Sequence, residues 1–241
     1  MARTVPSLKA LKRVLLPVRV AATAYWKAQM GRLARVPRTA KQVWRSALQN
    51  LACQVLPVRR AARLVWPSVL AALLTAPAFA DSTVYLEGGW DDDEQDANRY
   101  GFALAYDLPY RFLEAGGFYL GTYFEVSASF WDADQGGLTG QDSLFEGGLT
   151  GVLRYQREVG RGFITPFAEL GTGPHLMSER EFVNKDFDLN FCFGSHLGAG
   201  LKFGQKGAYE VMYRFQHLSN ADLGDDNPGI NFHLVRFGYR F

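Results

Sequence analysis

His217 and Ser219 stand two residues apart in the stretch Phe215-Gln216-His217-Leu218-Ser219-Asn220-Ala221. In an extended chain, residues i and i+2 project from one side with α-carbons roughly 6–7 Å apart, a gap that an imidazole spans to reach a hydroxyl. Serine is a weak nucleophile until an adjacent base takes its proton, so the pair supplies the minimum parts for acyl transfer. Asn231 and His233 follow after a polar turn, and on the partner strand of a hairpin they would join the pair on one face. The same residue types also suit a polar girdle at a membrane interface, where each costs only about 0–1 kcal/mol. The element that carries them decides between these readings.

Charge divides the chain near residue 80. Residues 1–80 hold 14 of the 26 Lys and Arg and none of the 24 Asp and Glu, leaving 12 basic against 24 acidic residues in 81–241. The overall charge of +2 therefore hides a basic leader and an acidic body, and the body is disfavoured as a nucleic-acid binder. Before the boundary, Arg59, Arg60 and Arg63 precede an apolar run ending in Ala78-Phe79-Ala80, the layout of a secretory signal peptide cleaved after Ala80. The run is too short and too interrupted by proline for a membrane helix of roughly 20 residues. Residues 1–58 read as an over-long leader or a basic amphipathic segment at a membrane surface. The body, 81–241, keeps one cysteine, Cys192, which excludes an internal disulfide and a cysteine metal site.

In the body, apolar and polar residues alternate over eight segments bounded by Gly, Asp and Pro: 82–90, 98–107, 117–131, 142–155, 162–172, 189–204, 208–218 and 229–241. Parity separates two faces. Tyr100, Phe102, Leu104 and Tyr106 share one side of the second segment, and Phe145, Leu149, Leu153 and Tyr155 one side of the fourth. The opposite face carries Glu87, Arg99, Glu125, Glu146, Arg154, Glu169, Lys202, Glu210 and Arg214 among many glycines, which suits a narrow interior filled by paired charges. Several segments are far longer than the roughly 5–6 residues usual in soluble sheets, yet suit a tilted membrane span of roughly 9–11. The chain ends on Tyr239-Arg240-Phe241. These features predict an all-β, eight-stranded antiparallel transmembrane β-barrel behind a basic leader and signal peptide, in the outer membrane of a Gram-negative bacterium. Closure pairs every backbone group that lipid would otherwise strand.

With both termini periplasmic, the connections 91–97, 132–141, 173–188 and 219–228 lie outside, and 108–116, 156–161 and 205–207 lie inside the cell envelope. His217, Ser219, Asn231 and His233 then share the lipid-facing side near the outer rim. Such a site suits a substrate that itself lies in the membrane.

His217-Leu218-Ser219-Asn220-Ala221, followed by Asn227, Gly229, Ile230 and the terminal Tyr239-x-Phe241, resembles the C-terminal hairpin of the lipid A 3-O-deacylases, the PagL family. The resemblance is strongest over 208–241, weaker along the rest of the body and absent from 1–80. It implies hydrolysis of the 3-O-linked acyl ester of lipid A in lipopolysaccharide, with Ser219 as nucleophile and His217 as general base. Asn220, Asn227 or backbone amides of the 220–224 turn are the implied oxyanion donors. No cofactor and no metal are implied; the partners are the lipid A substrate and outer-membrane lipid, and a homodimer is left open. One position departs from the family pattern: Asn231 stands where the family has a glutamate that orients the histidine. An amide holds an imidazole by a hydrogen bond but does not neutralise an imidazolium. Asp222, Asp225 and Asp226 are the nearby carboxylates that would replace the charge.

A non-catalytic structural or adhesive barrel is the alternative that Asn231 keeps open. A diffusion pore is disfavoured, since eight strands leave an interior just filled by side chains. Asp91 to Asp96 reads as a solvated acidic loop, His196 as an internal hydrogen-bonding residue on the lumen face, and His175 as an outer-loop residue with no evident partner.

Overall fold

The computed structural model describes residues 82–92, 96–133, 140–158 and 164–241. The expected leader and signal peptide, residues 1–80, fall outside the described residues. The strands are β1 (Ser82–Asp91), β2 (Ala97–Ala115), β3 (Phe118–Ala133), β4 (Ser143–Arg157), β5 (Ile164–Met177), β6 (Glu181–Phe182), β7 (Lys185–Asp186), β8 (Phe191–Phe203), β9 (Tyr209–Ser219) and β10 (Ile230–Arg240). Eight of them close into a barrel in the order β1-β10-β9-β8-β5-β4-β3-β2, and β6 pairs only with β7. β1 closes the ring by pairing antiparallel with both β2 and β10.

Alternation sets which side chains go where. Leu86, Leu149, Leu153, Leu170, Leu201, Val235 and Phe237 are exposed on the outer wall, the surface that faces lipid. Inside, four arginines and Lys202 meet five glutamates. Arg214 bridges Glu125 and Glu169, each at 2.8 Å. Arg236 bridges Glu87 and Glu125, each at 2.9 Å. Arg154 reaches Glu169 at 2.7 Å and Glu210 at 3.0 Å. An unpaired charge in this water-poor lumen would cost several kcal/mol, so the network is stable only because the charges balance and share partners.

One expected connection and the start of another are strand instead. β2 runs through 108–115 and turns at Gly116 and Gly117, whose φ values of 60° and 80° are those of a tight hairpin turn. Pro109 signals a break in the sequence, but the β2–β3 pairing absorbs it with a register shift between Leu108 and Arg111. Likewise β5 continues past Gly173-Pro174 to Met177: it pairs with β4 on either side of them, Thr172 with Gly151 and His175 with Gly148. A proline removes one ladder donor without ending the strand.

The lumen is not polar throughout. At the outer mouth, Phe182, Val183 and Phe187 of the β6–β7 hairpin pack against Trp131, Leu144, Met177, Leu218, Ile230 and Phe232. Trp131 meets Phe182 and Phe232 edge-on, at 5.5 and 4.7 Å between centroids. The 178–190 connection therefore forms an apolar plug that the outer-loop reading did not contain.

Candidate active site

The β9–β10 hairpin builds the site. Its register sets Asn231 opposite His217 and His233 opposite Phe215. His217 Nδ1 lies 2.7 Å from Asn231 Oδ1, so the ring donates Nδ1–H to the amide carbonyl and its lone pair sits on Nε2, the nitrogen on the side away from the amide. Ser219 shares the parity of His217. The site is more sheltered than a bare lipid-facing surface: Ser219 is 2% exposed and His217 only partly so.

The turn after Ser219 is held from within. Ala221 and Asp222 adopt left-handed φ values of 55° and 57°. Asn220 N–H donates to Asn227 Oδ1 at 3.0 Å, and Asn227 Nδ2 donates to Asp222 Oδ1 at 2.9 Å. Asn220 Nδ2 donates to the carbonyls of Phe187 at 2.8 Å and Asp226 at 2.6 Å. Both protons of that side-chain amide are thereby used, so the Asn220 side chain fixes the turn to the plug instead of offering donors to an oxyanion. Asp225 N–H to Asp188 Oδ2, at 2.8 Å, is a second tie between the same two segments. Gly229, at φ 61°, lies against the imidazole; a Cβ there would come within 3.0 Å of His217 Cε1.

Of the loop carboxylates considered for His217, Asp222 is bonded to Asn227, and Asp226 Oδ1 accepts from Asn227 N–H at 3.1 Å. His233 belongs to a separate outer-face set, with Nδ1 2.6 Å from Tyr213 OH and Nε2 3.1 Å from Asp92 Oδ1. Asp91 is buried, and its Oδ1 accepts from Ala97 N–H at 3.1 Å. The first two residues of the acidic run are thus engaged in the fold, not solvated.

His175 is also reassigned. It lies in β5, 2% exposed and pointing into the lumen, where Nδ1 bonds Glu146 and Nε2 is 3.3 Å from Thr150 Oγ1. The proline beside it disguised the strand. His196, on the lumen face, is 3.4 Å from Glu169. Among the described residues no group of three or more His, Cys, Asp or Glu is arranged to hold a metal ion.

The family model described as lipid A 3-O-deacylase (PagL) matches residues 98–240. The chain is 28% identical over 117 residues to the lipid A deacylase PagL of Bordetella bronchiseptica, an alignment covering 48% of this chain and 61% of that protein. It is 30% identical over 123 residues to the lipid A deacylase PagL of Pseudomonas aeruginosa, covering 46% of this chain and 70% of that protein. The crystal structure of the outer membrane enzyme PagL superposes with a TM-score of 0.57 at 23% identity, over 66% of this chain and 99% of that one, which supports the barrel fold.

Proposed function

The chain belongs to the lipid A 3-O-deacylase family, and from that premise we propose that it hydrolyses the 3-O-linked acyl ester of lipid A in the outer leaflet, with Ser219 as nucleophile and His217 as base. The barrel's exposed apolar wall suits the outer membrane, and a site on that wall meets its substrate without extracting it from the bilayer.

Ser219 Oγ attacks the ester carbonyl while its proton passes to His217 Nε2. The tetrahedral oxyanion collapses, the sugar oxygen leaves with that proton, and the acyl group stays on Ser219. Water, deprotonated by the same imidazole, then releases the 3-hydroxy fatty acid. Asn231 acts on the ring's far side, fixing the tautomer that makes Nε2 the base. For the oxyanion, the remaining donors are the second Asn227 amide proton and the backbone amides of the left-handed Ala221-Asp222 turn. In other enzymes, removal of one such donor costs about 3 kcal/mol.

The observation that carries the reading is the 2.7 Å bond from His217 Nδ1 to Asn231 Oδ1, on the face and two residues from the hydroxyl of Ser219. Mass spectrometry of lipid A from Gram-negative cells expressing the full chain tests it. Loss of one 3-hydroxyacyl mass, abolished by Ser219→Ala, is expected. Unchanged lipid A beside a folded barrel would instead favour the structural or adhesive alternative.

A further inference from the structure

The outer-face site has an amide where a charge is needed, and a carboxylate lies one hydrogen-bonded step away. Asp92, the first residue beyond β1, donates its backbone N–H to the carbonyl of Asn231 at 2.9 Å. Its Oδ1 stands 3.1 Å from His233 Nε2, and His233 Nδ1 stands 2.6 Å from the Tyr213 hydroxyl. The His233 and Asp92 side chains are 9% and 12% exposed, and the Trp90 ring stacks on His233 with centroids 5.8 Å apart. The set accommodates the Tyr213 hydroxyl donating to Nδ1 and Nε2–H donating to Asp92, an assignment that leaves the carboxylate its charge. The other outward side chains of the hairpin, Tyr209, Val211, Phe215, Val235, Phe237 and Tyr239, carry none.

We infer that Asp92 is a positioning residue of the hydrolytic site: held by His233, its carboxylate supplies the negative charge that Asn231 lacks and stabilises the imidazolium formed on His217 as Ser219 attacks. The inference rests on the Ser219 and His217 reading above. Two roles that one carboxylate ordinarily fills are divided. Asn231 orients the ring through its 2.7 Å bond, and Asp92 provides the charge from the adjoining row of the sheet. The proton moves only from Ser219 to His217; Asp92 takes none. Residues 231 and 233 are neighbours on one face, which puts the carboxylate on the order of 10 Å from the His217 ring. At an effective dielectric near 20, one charge at that range is worth about tenfold in the stability of a cation.

The experiment compares the full chain with Asp92→Asn, Asn231→Glu and the double variant, each purified as folded barrel and assayed on lipid A in detergent micelles. The Asp92→Asn change keeps the backbone bond and an acceptor for His233, so folding is preserved and only the charge is lost. A fall in kcat of about tenfold at unchanged KM is expected, shrinking to less than about twofold when Asn231→Glu supplies a carboxylate directly. An unchanged kcat for Asp92→Asn in an active enzyme overturns the inference. So does an equal fall in both backgrounds, which would mark a structural role. A raised KM at constant kcat also overturns it and assigns Asp92 to headgroup or cation binding. If the parent chain is as inert as Ser219→Ala, the reading of the site fails and this inference falls with it.

Discussion

Two regions of the barrel hold a hydroxyl, an imidazole and an orienting group, and the one with the fuller set is not the one proposed to react. Inside, Thr150, His175 and Glu146 join in order, with a carboxylate on the ring. Outside, Ser219 and His217 share a face, and the orienting group on the ring is the amide of Asn231. The inner set is 2–3% exposed and Ser219, at 2%, is no more open, but the inner side chains face the lumen whereas Ser219 and His217 lie on the outer face of the sheet. The inner carboxylate is also engaged elsewhere: Glu146 meets Arg99 at 2.9 Å, Ser129 Oγ at 2.5 Å and Trp131 Nε1 at 3.0 Å. The inner histidine closes a charge network, whereas the outer one sits on the wall that a lipid ester can reach. On the proposed reading, the face on which a side chain lies, more than completeness of a hydrogen-bonded set, separates the hydrolytic site from a structural one.

The strongest way to break this comparison is to remove each hydroxyl. Ser219→Ala should lower lipid A ester cleavage by on the order of 10³-fold or more, while Thr150→Ala leaves the rate per folded molecule unchanged. Comparable losses in both would mean that the inner set participates. Removal of the inner carboxylate should reverse the pattern. Glu146→Ala removes the carboxylate from His175 and leaves Arg99 with Glu87 at 3.4 Å as its acidic partner, and should cost about 3 kcal/mol in unfolding free energy, read from urea titrations in lipid vesicles, with kcat retained by the folded fraction. A stability loss below about 1 kcal/mol would show that the lumen re-pairs its charges freely.

The sequence made the outer region more legible than the inner one. Strict alternation from Tyr100 to Tyr106 and from Val235 to Phe241 assigns the faces, and parity alone sends Glu125, Glu169 and Arg214 into the lumen, where they pair. The His217 and Asn231 contact follows from hairpin register in the same way. Local signals misled where tertiary pairing overrode them. Pro109 and Pro174 read as strand ends, yet neighbouring ladder bonds carry both strands past them, which hid His175 inside β5. The plug was illegible for a different reason: Phe182, Val183 and Phe187 have no periodicity, and their burial depends on a barrel mouth assembled from distant strands. Asp92 lay in a run of acids that looked uniformly solvated, and nothing local marks the one that reaches His233.

Asn231 offers a gain in place of a loss. If the outer site falls short of the inner one only in lacking a carboxylate on its ring, Asn231→Glu should raise kcat by about tenfold, measured as fatty acid release from lipid A micelles. A lower kcat would show that the amide is itself the adapted group at this position.

Gly229→Ala perturbs the outer site most gently. The residue has φ 61°, and a Cβ would approach His217 Cε1 to 3.0 Å. Left-handed backbone costs a non-glycine residue about 1–2 kcal/mol, and the methyl must push the ring or be pushed by it. Because His217 is held on its other side by Asn231, the displacement turns Nε2 away from Ser219, and a loss of about three- to tenfold in kcat with little change in KM is expected. The lumen network lies across the sheet from this contact, so the thermal midpoint should fall only by the backbone term. A variant that loses stability but keeps full kcat would show that the ring is positioned by the 2.7 Å bond to Asn231 alone, and that the glycine serves the turn and not the imidazole.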